Sequence, residues 1–213
     1  MTTYSTPATT HPHPPVAPPA IPVGLATATQ IVAAAWILLA VSRAIVAPVA
    51  VSAVVSRCVD PDIAFFFVDA LAVLLGLVQL LALVVGGLWL YLFAEAARGL
   101  NREAWHERAA YWGFLGWIAP LVNLWFPYQV VRDGAAAVGV RTWMVPGWWT
   151  AWIITGLLAG VESLALPTSD YDLTPWIVSL AALAVLTAVT GVLWIRIVRA
   201  MTAAARAATT VAS

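Results

Sequence analysis

The sequence predicts an all-α fold: a polytopic membrane helix bundle of four spanning helices plus a Pro/Trp-rich re-entrant or interfacial segment. Three observations predict it. Of the 213 residues 62% are hydrophobic and only 9% charged, where a soluble domain carries about 25%. So few charges cannot cover a water-facing surface, so most of the surface faces lipid. Four apolar runs reach the roughly 20 residues a helix needs to cross about 30 Å of hydrocarbon. The arginines, finally, sort to one side of those runs, as argued below.

Residues 1–23 are rich in Pro and Thr and hold no Lys or Arg. They read as a disordered cytoplasmic tail with polyproline II character. Its His11 and His13 are a poor metal site, because two ligands on a flexible chain impose no geometry. A secretory signal is not expected, since no basic residue precedes the apolar run.

A helical transmembrane domain is expected over 24–200. Leu25 to Val46 is the first span, with Arg43 near its end and Pro48 bending or stopping the helix. Asp60-Pro61-Asp62 is a turn, with Asp62 placed to cap the next helix. Phe65 to Phe93 is the second span; Gln79 lies near its middle, and Gly86-Gly87 offers a small face to a neighbour. Glu95 to Arg108 is the most charged stretch and reads as an aqueous extension, interrupted at Gly99 to Asn101. Trp148 to Leu166 is the third full span, with a Gly156-x-x-x-Gly160 spacing that lets helices approach closely. Thr174 and Pro175 read as cap and first residue of the last helix, Trp176 to Val198. Residues 201–213 are expected to be a short cytoplasmic tail.

The segment 111–133, YWGFLGWIAPLVNLWFPYQVVRD, is apolar enough to be a fifth span. Five spans would put three arginines on the face of the N-terminal tail and six on the other. If the segment enters and leaves on one side, Arg98, Arg102, Arg108, Arg132, Arg141, Arg196, Arg199 and Arg206 share a face, and Arg57 alone lies opposite. Arginine-rich loops stay in the cytoplasm, so the second arrangement is expected, with both termini cytoplasmic. The prolines agree. Inside a helix, Pro120 and Pro127 would free the carbonyls of Gly116 and Asn123. Irregular backbone at depth must be buried in protein or hydrated. Trp112, Trp117 and Trp125 suit an interfacial depth, and Asn123 is expected to hydrogen-bond the loosened backbone. A proline-kinked fifth span is the alternative.

Trp117, Pro120, Asn123, Pro127, Tyr128, Gln129, Arg132 and Asp133, with Trp89 and Asn101 upstream, form a pattern that resembles the bacterial membrane family called domain of unknown function 4328. The motif-specific part is 89–133; the hydrophobic layout extends the resemblance to about 25–205. Where members typically have Phe-Val or Phe-Ile between Trp and Pro, this chain has Ile118-Ala119. The resemblance implies the membrane topology and no assigned activity.

Candidate chemistry is sparse. Glu103-x-x-His106 has the spacing of half a di-iron site, but such a site needs two copies and two further carboxylates. A solvated charged turn is expected instead. Asp60, Asp62, Asp170 and Asp172 lack a calcium-loop pattern and read as caps and loop residues. Asp69, Gln79 and Glu162 are polar groups in or near spans, and Arg43 lies at a depth to pair with Glu162 or Asp69. The single cysteine, Cys58, excludes an internal disulfide. No phosphate loop, nucleophile elbow or zinc-protease motif is present. Zero net charge gives no handle for nucleic acid. No cofactor or metal is expected. The expected partners are the lipid bilayer and other membrane proteins or a second copy. The functional expectation is a non-enzymatic structural or interaction protein of the cell membrane; the alternative is a small transporter or channel component using the broken 111–133 segment.

Overall fold

The structure, a computed structural model, describes residues 20–119, 121–164 and 174–212. Its elements are α1 (Val23–Val55), α2 (Pro61–Leu100), α3 (Trp112–Leu115), a 3₁₀ turn (Val122–Leu124), α4 (Phe126–Ala137), α5 (Met144–Leu164) and α6 (Thr174–Ala212). The described residues contain no strand. Four of these helices, α1, α2, α5 and α6, are long and apolar enough to cross a membrane, as the sequence predicts. The Pro-rich tail before residue 20 lies outside the described residues.

The helices differ from expectation at their ends. Pro48 does not stop α1, which runs on to Val55. Proline forfeits one backbone hydrogen bond, whereas ending a helix in apolar surroundings orphans several carbonyls. The stop comes at Arg57, which adopts a left-handed φ of 54°. Its N–H bonds the Val54 carbonyl at 2.9 Å, and the Cys58 N–H reaches Ala53 at 3.1 Å, which closes the last turn. Asp60, not Asp62, caps α2: its carboxylate accepts the Asp62 N–H at 2.8 Å. Pro61 then takes the first helical position, where a missing N–H costs nothing. The expected tail 201–213 is helix up to Ala212, because no Gly or Pro interrupts 192–212 and alanine is the best helix former.

In the bundle α2 packs on α1, α1 on α6, and α6 on α5. The densest core sits at one end, where Trp89, Leu90 and Phe93 of α2 meet Val131 of α4, Trp148 of α5 and Val198 and Met201 of α6. Further along the spans the large side chains turn outward. Leu38, Leu80, Leu157 and Val185 are each more than half exposed, as a lipid-facing belt requires. Small residues set two of the close approaches. A Cβ on Gly191 would lie 2.7 Å from the Ile37 side chain of α1, and one on Gly87 would lie 3.1 Å from Phe114 and 3.3 Å from Trp117. The Gly156-x-x-x-Gly160 face behaves differently: a Cβ at either position meets nothing within 4 Å. Among the described residues, no atom comes within close-approach distance of a Cβ at these two positions.

The segment after α2 turns back on itself. The piece α3 lies against α2 so closely that a Cβ on Gly113 would stand 3.0 Å from the Tyr91 nitrogen. Tyr91 is nine residues before Leu100, or about 14 Å along the helix. The chain then passes through the 3₁₀ turn and returns along α4, whose 12 residues span only about 18 Å. Pro127 sits in the first turn of α4 rather than inside a helix, so it breaks no bond there. Gly139 ends α4 at a φ of +72°, a left-handed conformation that suits glycine.

Candidate functional site

Both ends of the 111–133 segment are fastened to each other by a polar cluster. The Asp133 carboxylate, 6% exposed, accepts the Glu107 backbone N–H at 2.8 Å. Its other oxygen accepts the Arg132 guanidinium at 2.8–2.9 Å. A second Arg132 contact, 2.8 Å long, goes to Glu107 Oε2. Gln129 bridges the two strands of chain: its amide N–H donates to Glu107 Oε1 at 2.6 Å, and its Oε1 accepts from Arg108 Nε at 2.9 Å. The Arg108 guanidinium also lies 4.2 Å from the centre of the Phe126 ring, a cation–π distance. Arg98 donates to the Arg108 carbonyl. Farther out, Asn101 caps the turn by accepting the Ala104 N–H at 3.1 Å and donates to the Ala137 carbonyl at 3.4 Å.

This latch decides between four spans and five. A segment that crossed the bilayer would hold residues 108 and 132 about 30 Å apart. Here Arg132 and Glu107 are in contact at 2.8 Å. The segment enters and leaves at one end of the bundle.

Beneath the latch lies a tryptophan cluster. Trp117 meets Trp148, Trp149 and Trp152 edge-on, with centroids 5.5–6.3 Å apart. Trp149 stacks on Trp152 at 4.8 Å, and Trp148 on Trp194 at 4.8 Å. Trp89 joins through an edge contact to Trp194 at 5.6 Å. Each such pair contributes about 0.5–1.5 kcal/mol beyond area burial. The Trp149 indole N–H donates to the Leu124 carbonyl at 3.0 Å, which satisfies one of the carbonyls in the irregular turn.

The motif residues thus separate into two groups. Asn101, Gln129, Arg132 and Asp133 build the latch, with Tyr128 beside it: the Arg132 guanidinium lies 5.9 Å from its ring. Trp89, Trp117 and Pro127 belong to the packing beneath. Pro120 lies outside the described residues. Asn123 does not do what was expected: its side-chain carbonyl is buried without a hydrogen-bond partner among the described residues, and it is Trp149 that reaches the turn's backbone, at the Leu124 carbonyl. Glu162 falls within α5, but its side chain lies outside the described residues, as does the expected pairing with Arg43. Asp69 is exposed on α2. Glu103 is exposed, while His106 is half-buried. Sequence reasoning missed Glu107 and Arg108 as latch members. Their signal was only a charged turn.

His106 reports on the latch. Burial, and then the positive charge of Arg98, push its pKa below the ordinary histidine value, and Asp133 pulls the other way. A depressed folded pKa means that protons favour the unlatched state. The contribution is full above the unfolded value of about 6.5 and is lost as pH falls through the lowered folded value. Melting in detergent should therefore fall between pH 7.5 and pH 5, and His106→Gln should flatten that slope. An identical slope in the variant would refute the assignment.

A family model described as Domain of unknown function (DUF4328) matches residues 57–203. The match begins after α1 rather than at residue 25, and it contains every residue of the latch and of the tryptophan cluster. No curated protein and no solved structure matches the chain.

Proposed function

This chain belongs to the DUF4328 family, and on that premise we propose that it is a non-enzymatic interaction protein of the bacterial plasma membrane. Both termini face the cytoplasm, and no cofactor takes part. The reading rests on one observation: the polar residues of the motif are engaged with each other. Gln129, Arg132 and Asp133 close the latch, so they serve as framework for the cytoplasmic face. That face also presents Trp105 and Trp143, 82% and 67% exposed. Exposed indoles beside a rigid polar frame suit either the headgroup zone or an aromatic anchor on a partner. The partners are the bilayer and another membrane protein or a second copy; nucleic acid is not among them.

A photo-crosslinking residue at position 105, in the full chain in its native membrane, tests this. The expected result is a discrete protein adduct, with Cys58, exposed, labelled by an impermeant thiol reagent only from the outside. Crosslinks to lipid alone, together with solute flux above that of empty proteoliposomes, would overturn it. The flux arm matters because a second reading, a small transporter component, is favoured by a cavity that runs into the spanning bundle.

A further inference from the structure

Of the spanning-helix glycines that face open space, two line one cavity. A Cβ on Gly76 of α2 or on Gly156 of α5 would touch nothing within 4 Å. Glycine in a membrane helix ordinarily lets a neighbour close in. Here α2 packs on α1 and α5 on α6, and a cavity of about 420 Å³ lined by both glycines remains between them. That volume falls within the roughly 300–1,000 Å³ of small-molecule sites. Trp36 and Trp152 line it among mostly apolar neighbours.

Two polar side chains face this cavity without a partner. Thr187 of α6 is 4% exposed and lines it, and its hydroxyl makes no hydrogen bond among the described residues. Gln79, near the middle of α2, lines it too, and its amide is likewise unbonded among the described residues. The neighbouring Thr155 is different, because its hydroxyl donates to the Ala151 carbonyl at 2.7 Å. A buried amide or hydroxyl left unpaired in apolar surroundings is costly. A ligand group that hydrogen-bonds both would remove that cost.

We propose that this cleft binds one neutral lipid: an apolar chain with a carbonyl or hydroxyl and no charged head, entering sideways between α2 and α5. The unpaired groups are themselves neutral, and a ligand charge near mid-span would be expensive. No acidic side chain lines the cavity among the described residues, which disfavours an organic cation. Arg43 also lines the cavity and already has an interaction of its own. The inference does not depend on the interaction role proposed above.

The test uses the full chain in phosphatidylcholine nanodiscs and two probes, diacylglycerol and phosphatidylcholine, each with brominated acyl chains. Bromine quenches indole fluorescence on contact, and Trp36 and Trp152 are the reporters. The expected result is saturable quenching by brominated diacylglycerol at a low mole fraction, absent with brominated phosphatidylcholine. Gly156→Leu fills the cavity and should weaken that binding by about tenfold or more. Leu157→Phe, on the exposed side of α5, should leave it unchanged. Thr187→Val keeps the volume and removes the hydroxyl, and should weaken binding roughly fivefold. This isosteric variant carries the test if Gly156→Leu does not fold. Equal, unsaturable quenching by both probes would overturn the proposal. So would a dimer that Gly156→Leu converts to monomer, since a second copy's helix would then be the occupant.

Discussion

Asp133→Ala should unfasten the turn 101–111 from α4 and cost about 2–3 kcal/mol. The carboxylate is 6% exposed and holds two partners of different kinds. One is the Glu107 backbone N–H at 2.8 Å; the other is the Arg132 guanidinium at 2.8 Å. Removing one member of a fully buried ion pair costs about 3–5 kcal/mol, because the other charge is left unpaired. Arg132 is 38% exposed, so water relieves part of that cost, and the lower figure follows from screening. The arginine also keeps its second carboxylate, Glu107, at 2.8 Å. Limited trypsinolysis in mild detergent reads the result directly. The parent should resist cleavage after Arg108, which is held by Gln129 at 2.9 Å, and Asp133→Ala should be cut there several-fold faster. Asp133→Asn separates the two roles. Its amide oxygen still accepts the Glu107 N–H, while Arg132 loses one of its two carboxylates and keeps only Glu107, so about half the loss should remain. Glu103→Ala, at an exposed position, should change nothing. Unaltered protease resistance in Asp133→Ala would mean that the turn is held by the packing beneath it and not by the latch.

The spans were legible because hydropathy is a local property. A run such as Phe65 to Phe93 announces its own solvent. The return of the 111–133 segment was legible too, through a global constraint: Arg98 and Arg132 must share a side. Helix ends were less so. Whether Pro48 terminates α1 depends on what would satisfy the freed carbonyls, and composition is silent on that. The latch partners were hidden for a related reason. Glu107 and Arg132 are 25 residues apart, and only the fold brings them together. A charged turn reads the same whether it is solvated or docked. Residue type gave Trp112, Trp117 and Trp125 an interfacial depth but could not rank the other rings: Trp89 and Trp148 are 0% and 2% exposed while Trp105 is 82% exposed. Residue type sets a preference for depth, and packing then decides which rings go inside. The Gly156 and Gly160 pair shows the same limit in reverse. Its spacing signals a close approach, but among the described residues a Cβ at either position meets nothing within 4 Å.

Gly113→Leu should expel the hairpin from the bundle. A Cβ at this position would lie 3.0 Å from the Tyr91 nitrogen and 3.1 Å from the Leu90 carbonyl carbon. Both are backbone atoms of a continuous helix, so neither can move aside as a flexible side chain would. The remaining way to admit a side chain is for α3 to lift off α2. That separates Phe114 and Trp117 from Gly87 and pulls Trp117 from its three indole partners on α5. Overpacking alone costs about 1–3 kcal/mol. The lost ring contacts add about 0.5–1.5 kcal/mol each, so a total of at least about 3 kcal/mol is expected. The readout is position 118, near the tip, where Ile118 is 67% exposed and faces lipid if the hairpin is inserted. With Cys58→Ser as background, Ile118→Cys should resist a membrane-impermeant maleimide, and adding Gly113→Leu should make it react. Gly113→Ala should fall between, because one methyl already enters the 3.0 Å contact. Gly24→Leu, where a Cβ meets nothing within 4 Å, should leave the label unreactive. If position 118 reacts equally in the parent and in Gly113→Leu, the tip lies in water from the start. The packing of α3 on α2 would then be a contact at the membrane surface rather than the root of an inserted hairpin.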